Sequence, residues 1–239
     1  MTGAEILEDI GMHFAPDRIH AWGPPNTLID LPITRDLLAE FFERWQLDVG
    51  AEIGVLEGAY SETLLTANPR LHLLAVDPWV AYDGYPDFRR QEELSAYEQT
   101  ALARLRPFGT RCRVMRTTSA EAARSVPLNA LDFVYIDGNH LFDYVMEDLI
   151  VWSRRVRPGG IVAGHDFVRR RAGRKYGPVH VVEAVSAYLR FHPVPVMFTM
   201  EGRPNGAQPR SWFWVKGGTA RPAAHVSSPA ETSGWYWPE

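Results

Sequence analysis

Between residues 49 and 166 the chain alternates short runs of aliphatic and β-branched residues with longer polar stretches. The runs VGAEIG (49–54), LHLLAVD (71–77), RCRVMRT (111–117), LDFVYID (131–137) and GGIVAGHD (159–166) have the composition of strands, and each of the first four precedes a polar or helix-compatible segment. This rhythm predicts βαβ units and a mainly parallel sheet. The runs are apolar on both faces, as a sheet covered by helices on both sides requires. VPVMFTM (194–200) and SWFWVKG (211–217) are separated only by turn-rich EGRPNGAQPR, too short for a crossover helix. They are expected to form an antiparallel hairpin that closes the sheet edge.

Outside this rhythm, ITRDLLAEFFERW places Leu37, Leu38, Phe41, Phe42 and Trp45 on one helical stripe, and GPVHVVEAVSAYLR does the same with Val181, Val182, Val185 and Tyr188. Both are expected to pack on the sheet. The Pro/Gly-rich HAWGPPN that precedes the first is expected to be a lid-like loop. The division that follows is a lid and docking helix over 1–45, one α/β domain over 46–217 and a tail over 218–239. The tail is Pro/Ser/Ala-rich, yet it ends in Trp235, Tyr236 and Trp237, a cluster poorly suited to solvent.

Composition narrows the picture only a little. With 46% hydrophobic and 23% charged residues the chain is ordinary globular material, and a net charge of −4 gives no electrostatic case for nucleic acid. One cysteine, Cys112, excludes an internal disulfide framework and suits a reducing compartment. In the acidic, helical MTGAEILEDIG no secretory signal is visible, and no apolar run reaches the length of a membrane span. A soluble cytoplasmic protein, with no membrane partner, is the expectation. Oligomeric state is not written in the sequence.

Candidate chemistry gathers where strands end. The first strand runs into AEIGVLEGAYSETLL, with Glu52 before Gly54 and Gly58. Glycines there let the backbone turn tightly and approach a ligand. The spacing differs from the Gly-x-Gly-x-x-Gly that binds a dinucleotide pyrophosphate, which favours a ligand without one. Asp77 ends the second strand just over 20 residues beyond Gly54. It is placed to accept ribose hydroxyls, or to cap a helix before Pro78. Ser119 and Ala120 follow the third strand, where an adenine ring could be met, although Ser119 would serve equally as an N-cap with Glu121 in the first turn.

EIGVLEGAYS, LAVDPW, YIDGNH and RPGGIVAGHDF, in this order and at these spacings, resemble class I S-adenosylmethionine-dependent methyltransferases over roughly residues 48–190. More narrowly, they are similar to the metal-dependent macrocin-type sugar O-methyltransferases. The resemblance implies a Rossmann-like α/β fold with a seven-stranded, mostly parallel sheet, an antiparallel last strand and helices on both faces. It also implies cofactor contacts from Glu52, Gly54, Gly58, Ser61, Asp77, Ser119 and Asp137.

In open α/β sheets ligands bind beyond the carboxyl ends of the strands. YIDGNH and AGHDF are two such ends on strands expected to be neighbours, about 4.8 Å apart. Asp137 and Asp166 could therefore converge on one hard cation such as Mg²⁺, with His140 facing the same space. In the sugar-methylating relatives the motif is Asp-x-x-His, as here, which implies Asp137 as metal ligand and His140 as catalytic base. The relatives' third ligand would fall beside the second aspartate, where this chain has Phe167. His165, Asn139 or water are the alternatives, with His165 the assigned candidate.

The basic run VRRRAGRKYG (168–177) could contact an acidic substrate, but a solvated loop is the simpler reading. Of eight tryptophans, Trp79 lies with Tyr82, Tyr85 and Phe88 after the second strand, where aromatic faces could meet a sugar ring. The expected activity is O-methylation of a hydroxyl on a sugar or an oligosaccharide or polysaccharide precursor. The alternatives are a metal-dependent hydroxylase on the same fold and a non-catalytic S-adenosylmethionine-binding protein.

Overall fold

Residues 131–136 illustrate how the sheet is built: Phe133 and Tyr135 turn to one face, Val134 and Ile136 to the other, and all four are buried. In this computed structural model, residues 1–14, 19–22, 26–82, 90–170, 177–200 and 209–217 are described. The strands are β1 (Ile19–Trp22), β2 (Asn26–Asp30), β3 (Val49–Ile53), β4 (His72–Val76), β5 (Cys112–Met115), β6 (Leu131–Ile136), β7 (Val156–Gly164), β8 (Val196–Phe198) and β9 (Trp212–Val215). The helices are α1 (Gly3–His13), α2 (Arg35–Arg44), α3 (Ala59–Ala67), α4 (Gln91–Leu105), α5 (Ser119–Ser125), α6 (Phe142–Ser153) and α7 (Val181–Phe191).

The sheet order is β1-β2-β8-β9-β7-β6-β3-β4-β5. Strands β3 to β7 are mutually parallel, whereas β9 runs antiparallel to both β7 and β8. The expected antiparallel last strand and its hairpin with residues 194–200 are therefore present. The expected count of seven is corrected to nine, because residues 19–30, read from sequence as a lid-like loop, supply an antiparallel pair whose second strand joins β8 in parallel. The β8–β9 hairpin consequently does not close the edge. Arg210, just before β9, pairs with Asp30 of β2 and ties the added strands to the hairpin.

One face of the sheet packs against α1, α2, α3 and α4 through Ile6, Leu38, Phe42, Trp45, Leu64 and Leu94. The other packs against α5, α6 and α7 through Ala122, Val145, Leu149, Trp152, Val185 and Leu189. Full burial of such a side chain contributes about 1.5–3 kcal/mol. Of the apolar stripes predicted for α2 and α7, Leu38, Phe42, Trp45, Val181, Val182 and Val185 are buried, while Leu37, Phe41 and Tyr188 are half-buried, Tyr188 stacking on Trp214. Helix starts follow local chemistry: Thr2 with Glu5, and Thr118 with Glu121, form capping boxes. Among the described residues no helix is long and apolar enough to cross a membrane. The C-terminal tail and the central part of the basic run lie outside the described residues.

Candidate active site

A cavity of about 660 Å³ opens over the carboxyl ends of β3, β4, β6 and β7, within the range of small-molecule sites. Its floor is the turn after β3. Gly54 has φ +89°, and a β-carbon there would stand 2.2 Å from the Asp137 carbonyl oxygen, so only glycine lets the ends of β3 and β6 approach this closely. The Asp77 carboxylate holds the turn: Oδ2 accepts from the amides of Val55 (3.0 Å) and Leu56 (2.9 Å), and Oδ1 from that of Trp79 (2.8 Å). Burial raises the Asp77 pKa despite these three donors. Trp79 closes the loop by donating its indole N–H to the Leu56 carbonyl at 2.8 Å. Leu56, Trp79 and Asp166 all have positive φ (52°, 44° and 53°) and all line the cavity. Backbone strain among the described residues is thus concentrated at this site.

At the ends of β6 and β7 stand two aspartates and two histidines. His140 Nε2 lies 2.9 Å from Asp166 Oδ2 and 3.5 Å from Asp137 Oδ1. His165 Nδ1 is 3.5 Å from Asp166 Oδ2 and 3.8 Å from Asp137 Oδ1. Burial opposes charge on His140, but the two carboxylates outweigh it and push the imidazole up to about 10. Asp166, buried but facing both imidazoles, is held well below the usual carboxylate range. Trp212 anchors the second strand end: its ring packs where a β-carbon on Gly164 would stand, 2.3 Å away, and its indole N–H donates to the His165 carbonyl at 3.0 Å.

The other oxygen of Asp137 faces a residue that no motif identified. Arg35, the first residue of α2, brings Nη1 to 3.3 Å from Asp137 Oδ2 and lies over the rings of Tyr60 (3.9 Å) and Tyr135 (5.3 Å). Burial works against this cation, yet Tyr135, Asp137, Tyr60 and Glu52 together hold its pKa above the ordinary value. A sequence signal existed: a cation in the first turn of a helix is disfavoured by the helix dipole and calls for another role.

The third wall is formed by α5 and α6. Thr118, not Ser119, is the N-cap of α5. Ser119 Oγ instead donates a very short bond to Asp148 Oδ1 and accepts from the Trp152 indole at 2.8 Å. Asp148 is buried, and desolvation pushes it up to about 7.

Gly54, Asp77, Ser119, Asp137, His140, His165 and Asp166 therefore meet around one cavity, as the strand-end reasoning anticipated. Glu52, Gly58 and Ser61 do not line it. Glu52 is fully buried behind the turn, takes a short bond from the Ser61 hydroxyl and is pushed up to about 8 by desolvation. Gly58, at φ +73°, packs toward Ala101 and Leu105 of α4.

The tightest donor set among the described residues is Asp137, His140 and Asp166, with ligand atoms within 4.8 Å of one another, and His165 stands just outside it. Asn139 is committed elsewhere, its amide donating to the Tyr82 hydroxyl (2.7 Å) and its oxygen accepting from the Leu141 amide (3.0 Å). Phe167 packs inward, 4.6 Å from the Phe198 ring. Trp79 is buried and presents no open face, while Tyr82 and Tyr144 stand half-exposed with ring centroids 5.9 Å apart. Tyr85 and Phe88 lie outside the described residues.

Residues 51–167 match the family described as a methyltransferase domain. Among solved structures the fold recurs in an O-methyltransferase family protein from Burkholderia thailandensis, at 13% identity and TM-score 0.56, over 77% of this chain and 55% of that one. It recurs in the O-methyltransferase TomG of Streptomyces achromogenes, involved in tomaymycin synthesis and solved in complex with SAM, at 16% identity and TM-score 0.54, over 76% of this chain and 79% of that one. A precorrin-6y C5,15-methyltransferase from Geobacter metallireducens also matches, at 16% identity and TM-score 0.53, over 76% of this chain and 87% of that one. At such identities the likeness is one of fold. This chain spans little more than half of the Burkholderia protein. No curated protein matches the sequence.

Proposed function

We propose that this chain, whose residues 51–167 match a methyltransferase-domain family, is an S-adenosylmethionine-dependent O-methyltransferase. In this reading the acceptor is a hydroxyl of a sugar or of an oligosaccharide or polysaccharide precursor, and Mg²⁺ assists. The observation that carries the reading is the meeting of Asp137, His140 and Asp166 within 4.8 Å in the cavity that the Asp77 turn also lines.

Asp77 spends one oxygen on two amides and the other on one, which leaves Oδ1 able to accept a ribose hydroxyl as well. Ser119 and Ala120 border the space for the base. Glu52, Gly58 and Ser61 contribute by shaping the turn from behind.

The donor set fits a divalent cation. His140 Nε2 is buried and makes no well-directed hydrogen bond despite its short approach to Asp166, so imidazole and carboxylates face a common space that none of them fills. Hard carboxylate oxygens suit Mg²⁺, and Asp137 and Asp166 would hold it, with His165 the next donor outward. When bound, the cation would polarise the acceptor oxygen and offset the carboxylate charge that keeps His140 protonated.

The chain's own residues supply the rest. Neutral His140 takes the hydroxyl proton at Nε2, and the flanking carboxylates stabilise the imidazolium that results. As the new O–CH₃ bond forms, the C–S bond breaks and sulfur leaves with the electron pair as the neutral thioether. Oxygen and methyl carbon must be held about 3–3.5 Å apart and in line with sulfur, which is the function of the strained floor and walls. The half-exposed rings of Tyr82 and Tyr144 offer apolar faces for a sugar ring. The similarity of the strand-end motifs to macrocin-type enzymes supports the same acceptor class.

Calorimetric titration with S-adenosylmethionine, with and without Mg²⁺, tests the reading. Cofactor binding is expected to weaken in Asp77→Ala and Mg²⁺ uptake to vanish in Asp137→Ala, with chelator-sensitive methyl transfer to a member of a sugar panel. A wild-type protein that binds neither ligand would overturn it.

A further inference from the structure

Asp148 is a carboxylate in an awkward position. It is 5% exposed, and its one described hydrogen-bond donor is the Ser119 hydroxyl on Oδ1. Among the described residues no cation offsets it: the nearby charge that acts on it is Glu147, which is also negative. Ser119 cannot swing away, because the Trp152 indole fixes its oxygen from the other side. Oδ2 lies 3.8 Å from where a β-carbon on Gly138 would stand, and both residues line the cavity. Burying a carboxylate without a charged partner is costly, and a protein core of this kind would tolerate an asparagine or an apolar residue at lower cost. A chain that keeps the carboxylate there, aimed into a ligand cavity beside Ser119 and Ala120, keeps an acceptor without its donor.

We propose that Asp148 is a specificity-determining residue that recognises the exocyclic amine of a purine, Oδ2 accepting an N–H while Ser119 occupies Oδ1. This rests on the proposed cofactor reading and goes beyond it by naming the group that selects adenine over a 6-oxo base. An amine pairs with the ionised form, so binding at pH 6.5 is expected to release a proton from Asp148. A ligand whose base carries an oxygen in place of the amine would set acceptor against acceptor.

The test compares S-adenosylhomocysteine with S-inosylhomocysteine, and adenosine with inosine, by calorimetry at pH 6.5 in two buffers of different ionisation heat. The amine ligands are expected to bind at least about tenfold more tightly, with proton release that the oxo ligands lack. In Asp148→Asn the preference is expected to disappear, with the loss falling on the amine ligands. Equal binding of amine and oxo forms by the wild type, which needs no variant to fold, would overturn the inference, as would an equal loss of both in the variant. Binding of adenosine but not inosine, without any affinity for S-adenosylhomocysteine, would uphold Asp148 and sink the cofactor reading. Binding of none of the four would sink both.

Discussion

Strand β6 has an aspartate near each end, and the two are treated oppositely. At the amino end, Asp132 Oδ2 accepts from the amides of Asp48 and Val49, both at 2.8 Å, and Oδ1 takes Arg157 Nε at 2.6 Å. At the carboxyl end, Asp137 has an arginine too, but Arg35 stands 3.3 Å away and the imidazoles of His140 and His165 at 3.5 and 3.8 Å. One carboxylate is saturated by short bonds from its own scaffold. The other is surrounded by a guanidinium and two imidazoles that approach without closing on it. A structural acid and an acid left for a ligand can thus be told apart by the lengths and directions of their contacts, on a single strand and with similar burial.

Substitutions at the two ends should separate rate from stability. The largest effect is expected at the carboxyl end, where His140→Ala or Asp137→Ala lowers methyl transfer about 10²–10⁴-fold in single-turnover assays, with S-adenosylmethionine affinity in His140→Ala little changed. A His140→Ala protein with the full rate would remove that residue from the chemistry. At the amino end, Asp132→Ala is expected to lower stability by about 1–3 kcal/mol in urea melts, since it strands two half-buried amides and an arginine, while the rate per folded molecule holds. The paired arginines sharpen the contrast: Arg35→Gln should cost about tenfold in kcat by loosening Asp137, whereas Arg157→Gln should register in the melt alone.

The smallest effect concerns Asp148, whose pKa is raised in the fold. The folded protein keeps its proton up to about pH 7, while the unfolded chain loses it near the ordinary value of 3.8, so stability falls as pH rises between the two and is level above. Asp148→Asn is expected to flatten that slope and to add about 1–3 kcal/mol at pH 8, seen in urea melts across pH. A wild-type slope unchanged by the substitution would contradict it.

Most of the sheet was legible because strands buried on both faces are written as uninterrupted apolar runs. The strands β1 and β2 were not, since IHAW and NTLID are short and flank Gly-Pro-Pro, which locally signals a loop; only pairing with β8, far along the chain, makes them strands. The acid and histidine cluster was legible from strand ends alone. Arg35 and Asp148 were missed because their roles depend on side chains that meet across roughly 100 and 30 residues of sequence, which no periodicity records. Glu52 stands off the cavity for the reverse reason: it ends its strand as the motif expects, but strand alternation turns it into the core toward Ser61.

The pairing of β2 with β8 also sets the order in which the molecule can be completed. Leu28 must find Val196, roughly 170 residues later, so the first strands to be made wait for nearly the last before they have a sheet to join. During synthesis the two amino-terminal strands emerge without their partner, and the parallel centre can assemble before them. Arg35 stands five residues beyond β2, yet its partners Tyr60, Tyr135 and Asp137 are all made long before β8, so the charge beside Asp137 can be set while the added strands still lack a sheet to join.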